Sequence, residues 1–243
     1  MKLTVFGSSS SGNGYALEFN NGKLLLLEVG VPIEKYLSVF PNRWGDLIGC
    51  LISHEHKDHV RFIRNYAEFG MKFYATQGTL EETRVKEKHH LKVITNGQPF
   101  TLPDQISVLP FKVIHNAKDP SGYLIIDKES DESLLFITDS AYLEYRFTGV
   151  DYIMVECNYI DEIAAQNRFE GNIAGSEFHM SLKTCKEFLT HCDTKKAKKI
   201  ILIHLSDKNS DEQKMIFEIN KMTGVDTVAA LPGDVYELRN HPF

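Results

Sequence analysis

LISHEHKDHV, Leu51 to Val60, places four groups able to bind a metal, His54, His56, Asp58 and His59, within six residues and directly after the apolar run Leu47 to Ile52. In an extended chain alternate side chains share a face, so His54, His56 and Asp58 start on one side. At ~3.3 Å of rise per residue, His54 and Asp58 would lie ~13 Å apart on a straight strand, too far for one ion. The chain must turn sharply after His56. The outcome expected is two neighbouring ions, one served by the two histidines and the other by Asp58 and His59. Two ions ~3.5 to 4 Å apart form a clamp suited to hydrolysing phosphoesters.

The rest of the composition is that of an ordinary globular protein: 243 residues, 42% hydrophobic and 25% charged. This is enough for one large core or two fused halves, and a single domain over 1–243 is expected. No apolar run approaches the ~20 residues that span a bilayer, and Met1 leads straight into a strand. The expected location is the cytoplasm, with no membrane partner. Cys50, Cys157, Cys185 and Cys192 show no CxxC spacing and read as reduced core thiols. With 27 Lys plus Arg against 33 Asp plus Glu, the formal charge is −6, which disfavours a long nucleic-acid track, because phosphate neutralisation supplies most of that affinity. The one dense basic run, Lys195, Lys196, Lys198 and Lys199, reads as a solvated edge.

Along the chain, a strand from Leu3 to Phe6 precedes GSSSSGNG, Gly7 to Gly14. That stretch is either an anion-cradling loop offering Ser8, Ser10 and Asn13 as donors or a permissive turn. Strands follow at Tyr15–Phe19 and Lys23–Glu28, joined by Asn21-Gly22. After the opening motif, Val60, Ile63, Ala67 and Gly70 keep helical spacing, which predicts one helix from His59 to Phe69. Later strands are predicted at Ile106–His115, Gly122–Asp127, Ser133–Thr138, Tyr152–Glu156 and Ile200–Ile203. Asn158 to Phe178 is irregular, as a lid or interface would be. Ser181 is a candidate N-cap for a helix carrying Leu182, Cys185, Phe188 and Leu189. What recurs is placement: short apolar strands end in His54, His115, Asp139 and His204. Four strand ends each offering a metal-binding group favour a shared site at one rigid edge.

SHEHKDH at Ser53 to His59 resembles the HxHxDH motif of the metallo-β-lactamase superfamily, and His115, Asp139 in ITDS and His204 in LIHLS are similar to its later motifs, in the same order. The resemblance implies an α/β fold, an αββα sandwich of two mixed β-sheets flanked by helices with metals at one edge. It implies that His54, His56 and His115 hold one divalent ion, that Asp58, His59 and His204 hold a second, and that Asp139 bridges both, with Zn²⁺ or Mn²⁺ suiting such ligands. An aspartate at the bridge points to phosphodiesters more than to β-lactams. GSSSSGN, HNAKDPSGY, VECNY and the HMS and IHLS segments look like the branch holding YycJ-type DNA exonucleases, RNase Z, cyclic-phosphate phosphodiesterases and phage anti-Pycsar enzymes that open cyclic nucleotides. In RNase Z and the cyclic-phosphate enzymes a histidine at the position of His179 faces the scissile phosphate without being a main metal ligand. Two positions depart from the pattern: Glu28 stands where an aspartate is usual, and Tyr159 where the exonucleases often have histidine.

Taken together these imply a metal-dependent hydrolase in which His179, Asp139 and Asp58 are catalytic. Water is activated between two ions, Asp139 orients it, and His179 gives a proton to the leaving oxygen. The expected substrate is a small nucleotide diester, a 3′,5′-cyclic nucleotide first, with Tyr159 and Phe169 as base contacts. The alternative is a DNA or RNA exonuclease. A metal-holding protein without chemistry is a further class, against which His179 argues. A homodimer is implied by the resemblance, and the setting would be a host cytoplasm if the chain is phage-encoded.

Overall fold

The computed structural model describes residues 1–86, 88–169 and 176–238. In chain order its strands and helices are β1 (Lys2–Ser9), β2 (Gly12–Glu18), β3 (Leu24–Leu27), α1 (Ile33–Val39), β4 (Leu47–Leu51), α2 (Lys57–Val60), α3 (Ile63–Glu68), β5 (Phe73–Thr76), α4 (Gln77–Thr83), β6 (Leu91–Ile94), β7 (Phe100–Thr101), β8 (Ile106–Lys112), β9 (Ser121–Asp127), β10 (Glu132–Ile137), β11 (Tyr152–Glu156), α5 (Asp161–Phe169), α6 (Leu182–His191), β12 (Lys199–Ile203), α7 (Glu212–Thr223), β13 (Thr227–Ala229) and β14 (Val235–Glu237). They fall into two compact units: residues 1–112, 117–132 and 231–238 form the first, and residues 113–116 and 133–230 the second.

In the first unit the strand order is β14-β1-β2-β3-β4-β5-β6. Pairing is antiparallel from β14 to β3 and parallel from β3 to β6. A short antiparallel ribbon, β7-β8-β9, belongs to the same unit. Leu24 to Leu27 are buried on both faces, as parallel pairing with β4 demands. Beneath them Tyr36 of α1 packs edge-on to Phe6 and Trp44, within a core that includes Phe40, Ile52, Ile63, Tyr66 and Phe73. The second unit is built on β10-β11-β12-β13, all parallel. Every residue of β11 is buried.

Two local expectations are corrected by the structure. GSSSSGNG is not a loop: β1 and β2 run on through it as a hairpin, with Gly7 opposite Gly14 and Ser8 opposite Asn13. Its glycines serve close packing. A Cβ on Gly7 would meet the Gly12 carbonyl oxygen at 2.3 Å, and one on Gly12 would meet that of Gly30 at 2.5 Å. The helix expected over His59 to Phe69 is broken into α2 and α3, because main-chain bonds there are drawn sideways. Val29 N–H donates to the His59 carbonyl at 2.8 Å, and Phe62 N–H donates to that of Val29 at 3.1 Å. The basic run stands at the surface as expected, with Lys195 and Lys196 exposed, and it is also anchored: Lys196 and Lys198 pair with the buried Asp151 at 3.2 and 3.0 Å, and Lys199 pairs with Asp226. The four cysteines are free and buried, as expected.

α6 begins at the expected cap, Ser181, whose hydroxyl accepts from Thr184 N–H at 3.2 Å. β8 stops at Lys112, three residues short of His115, which stands on the connecting segment instead. No helix among the described residues is long and apolar enough to cross a membrane.

The tightest constraint in the first unit is Gly30, where a Cβ would lie 1.7 Å from the Asp58 carbonyl oxygen. Gly30→Ala therefore displaces either the β3 end or the first turn of α2, and a drop of about 3 kcal/mol in unfolding free energy is expected. Gly45→Ala, where a Cβ meets nothing within 4 Å, should stay within about 0.5 kcal/mol. Urea denaturation of the two variants checks the difference.

Candidate metal centre

The opening motif folds as its spacing demands. β4 delivers Ser53 and His54, His56 takes an extended conformation as N-cap of α2, and Asp58 and His59 lie on the first turn of that helix. The imidazoles of His54 and His56 lie with centroids 4.6 Å apart, and those of His54 and His59 4.1 Å apart. His59 Nε2 is 3.2 Å from Asp58 Oδ2. Glu28, at the end of β3, fixes this cluster from behind. One carboxylate oxygen accepts Ser53 N–H at 3.0 Å and the other lies 3.5 Å from His59 Nδ1. The Ser53 hydroxyl is 2.9 Å from His54 Nδ1. With the Nδ1 edges held by Glu28 and Ser53, the Nε2 edges of both rings are directed to the opposite side.

The second unit carries the other strand-end residues. His115 Nδ1 lies 2.9 Å from the Phe178 carbonyl; a carbonyl only accepts, so Nδ1 carries the hydrogen and Nε2 is the edge left to face Asp139. His115 Nε2 is 3.6 Å from Asp139 Oδ2, and His204 Nε2 is 3.7 Å from Asp139 Oδ1. Both separations are long for a hydrogen bond. They suit two ligands of one ion at ~2.0 to 2.1 Å from each. Asp139 thus turns one oxygen to each of two imidazoles. Asp139, Glu156, His179 and His204 each offer a ligand atom, all within 4.8 Å of one another. The His115 and His204 imidazoles, with their Nδ1 atoms engaged and their Nε2 atoms turned to Asp139, and the Asp139 carboxylate fit a divalent ion.

Behind Asp139 and His204 sits Glu156, fully buried at the end of β11. Its Oε1 takes His179 Nδ1 at 2.6 Å and His204 Nδ1 at 3.3 Å, and its Oε2 takes Ser140 N–H at 2.8 Å and Met180 N–H at 3.1 Å. Burial alone would push the His179 pKa down. The hydrogen bond and charge of Glu156, with Asp139, outweigh it and raise the pKa. Burial raises the Glu156 carboxyl in turn, but bonds from His179 and His204 leave it lowered. His179 is so held as a cation at neutral pH more readily than an isolated imidazole. Glu156 is the residue of this cluster that sequence reasoning passed over. Glu156 closes an apolar strand as His54 and Asp139 do, so the same placement signal was there to find it.

The expected substrate contacts divide. Asn13 is buried, and its amide lies 3.2 Å from Asp58 Oδ2 and 3.2 Å from His59 Nε2, against the ligand loop itself. Ser8 is buried and accepts the Tyr15 hydroxyl at 2.9 Å. Ser10 is exposed in the hairpin turn. Tyr159 is half-buried, its main chain bridged to Ser181 beside the His179 segment. The side chain of Phe169 lies outside the described residues.

Comparison with known proteins agrees with this chemistry. A family model described as "Beta-lactamase superfamily domain" matches residues 40–205, more than half of the chain. Over 94% of this chain and 88% of the relative, the sequence is 29% identical to "Exodeoxyribonuclease WalJ" of Streptococcus pneumoniae. Among solved structures, the metallo-β-lactamase fold protein YhfI from Bacillus subtilis is similar with a TM-score of 0.75, at 20% identity, covering 97% of this chain and 98% of that one. The short form of human tRNase Z is similar with a TM-score of 0.68, at 15% identity, covering 99% and 100%. The fold is two mixed β-sheets flanked by helices, the metallo-β-lactamase fold. With that fold, a matching family model and a histidine and aspartate cluster able to bind metal, the chain is a hydrolase that belongs to the β-lactamase superfamily.

Proposed function

We propose that this chain is a two-ion phosphodiesterase that opens a 3′,5′-cyclic nucleotide to the linear nucleotide. In this reading His54, His56 and His115 hold one ion, Asp58, His59 and His204 hold the other, and Asp139 is shared, with Zn²⁺ or Mn²⁺ as the metal. The observation that carries it is the division of Asp139, with one oxygen 3.6 Å from His115 Nε2 and the other 3.7 Å from His204 Nε2. The ions, when bound, supply charge neutralisation at the phosphate and an activated water. Asp139 and Asp58 orient the reacting groups. His179, with Nδ1 held by Glu156, presents Nε2 to the phosphate and gives a proton to the departing oxygen. Its raised pKa suits an acid.

A small substrate is supported by the net charge of −6. One base and one phosphate need no long basic track, and Tyr159 beside the His179 segment offers the base a ring. In a host that signals with cyclic nucleotides, such an enzyme would act as an anti-defence factor, and we expect a cytoplasmic homodimer. A second reading, a DNA exonuclease, is favoured by the similarity to the Streptococcus pneumoniae exodeoxyribonuclease over nearly the full chain. A panel of cyclic nucleotides, single- and double-stranded DNA and RNA, assayed with Zn²⁺ and Mn²⁺, decides between them. Release of linear nucleotide is expected; DNA consumed with cyclic nucleotides untouched would replace the first reading by the second.

Chelation should abolish turnover, and readdition of metal should restore it. His179→Ala should keep its metal content by elemental analysis while kcat falls by about 10²- to 10⁴-fold. Equal loss of both would make His179 a metal ligand instead.

The Glu156–His179 pair makes a pH prediction for metal-stripped protein. His179 is raised from 6.5, so its contribution to stability is full below pH 6.5 and is lost as pH rises through the folded-state value. Glu156 is lowered from 4.5, so its contribution is present above pH 4.5 and is lost as pH falls through its folded-state value. The stability gap between wild type and Glu156→Gln should therefore be largest between pH 4.5 and 6.5 and narrow on either side. Urea denaturation across pH measures the gap, and the His179 imidazole titration followed by NMR should shift down in the variant.

A further inference from the structure

Beyond the ligands and His179, one residue, through its main chain and its side chain together, ties the His179 and His204 segments of the second unit. Asn158, two residues past Glu156, spends its main chain on two ties. Its N–H donates to the Met180 carbonyl at 2.8 Å, next to His179, and its carbonyl accepts Ser206 N–H at 2.8 Å, two residues past His204. Its side-chain amide then reaches the His204 main chain, with Nδ2 donating to the His204 carbonyl at 2.7 Å and lying 3.1 Å from the ring Nδ1. His204 stands there in the left-handed region, at φ 56°. No glycine relieves that position, so something outside the residue must hold it.

We propose that Asn158 is the positioning residue for His204: its amide locks the left-handed turn that brings His204 Nε2 beside Asp139 and stacks the His204 ring against His179. The inference rests on the metal reading given above for His204. Two interactions share the task of placing this ring, and they act on different atoms. Glu156 pulls on Nδ1 and so sets the rotation of the ring about its side chain. Asn158 pulls on the carbonyl and so sets the main chain from which the ring hangs. Because the Asn158 backbone also holds the Met180 carbonyl, the rings of His179 and His204 hang from one short strap. They lie with centroids 5.3 Å apart and only 15° from parallel. Removing the Asn158 amide frees His204 to relax toward right-handed backbone and swings Nε2 away from Asp139. The ties of Met180 to Asn158 N–H and to Glu156 do not involve that amide, so the His179 clamp survives.

A control lies on the same connection. Asn167 of α5 donates to the Lys208 carbonyl at 2.9 Å and to Asn209 Oδ1 at 2.7 Å, tying down the segment after His204 without touching His204. The experiment measures Zn²⁺ affinity of the full chain by competition with a chromophoric chelator, together with thermal unfolding in chelator, for wild type, Asn158→Ala, Asn158→Leu and Asn167→Ala. Loss of a group that orients a ligand typically weakens metal binding by about 10- to 100-fold. We expect that loss for the weaker-held of two ions in both Asn158 variants, including the leucine that keeps the volume, with the other ion retained. Asn167→Ala should lower the unfolding temperature of the metal-free protein and leave Zn²⁺ affinity unchanged. Wild-type affinity in Asn158→Ala, or equal affinity losses in the Asn158 and Asn167 variants, overturns the inference. A wild-type chain that takes up no Zn²⁺ or Mn²⁺ overturns the metal reading itself, and that outcome is recognised before any variant is compared.

Discussion

A carboxylate with no exposed surface, Glu156, receives four hydrogens at once, two from imidazoles and two from backbone amides. A buried charge left unpaired is strongly destabilising, whereas one whose lone pairs are all satisfied can be retained and fixes whatever satisfies them. The residues that satisfy Glu156 are His179 and Met180, His204, and Ser140 next to Asp139. Three separate chain segments are therefore held in place by one oxygen pair at the end of β11. The strand is buried on both faces and paired on both sides, so the anchor itself does not move. The geometry around Asp139 depends on this order: first a rigid strand, then a charge it cannot leave unpaired, then the segments drawn in to pair it.

The first unit repeats the device with a different carboxylate. Glu28 ends the buried β3 and takes the Ser53 amide and the His59 ring, so a strand-end acid again orients the imidazoles in front of it. An aspartate is usual there in the family that the motifs resemble. Glu28 stands in left-handed backbone, at φ 64°. Asp139 and His204 share that region at φ 43° and 56°. Left-handed backbone costs roughly 1–2 kcal/mol for a residue with a Cβ. Such strain persists only where surrounding bonds over-determine it, and it clusters at functional sites.

These left-handed strand ends also mark the limit of what the sequence discloses. β11, β12 and the cap at Ser181 follow from apolar runs and from a serine before a helical face, and the sharp turn after His56 follows from the reach of an extended chain. Each is local physics. GSSSSGNG was unreadable for the opposite reason. Glycine is permissive in any turn, and only the approach of the Gly30 carbonyl to Gly12 and of the Val31 side chain to Gly14, from residues further along the chain, shows that these positions need bare backbone for packing. Likewise the basic run from Lys195 reads as solvated surface, and nothing local in it discloses that Lys196 and Lys198 share the buried Asp151. Charge partners distant in sequence leave no periodic trace.

Glu156 shows where the sequence offered more than was read from it. Histidines at strand ends draw notice because imidazole binds metal, whereas a glutamate closing an apolar strand passes as the first polar residue after the core. Yet an acid that follows four buried positions of a parallel strand leaves the sheet at the same edge as its neighbours, Asp139 after β10 and His204 after β12. Parallel pairing puts the ends of adjacent strands side by side. Once Asp139 and His204 are accepted as site residues, the residue ending the strand between them must lie within reach of both. In a sheet of this kind the inference runs from the strand order to the carboxylate, and from the carboxylate to the imidazoles it can hold.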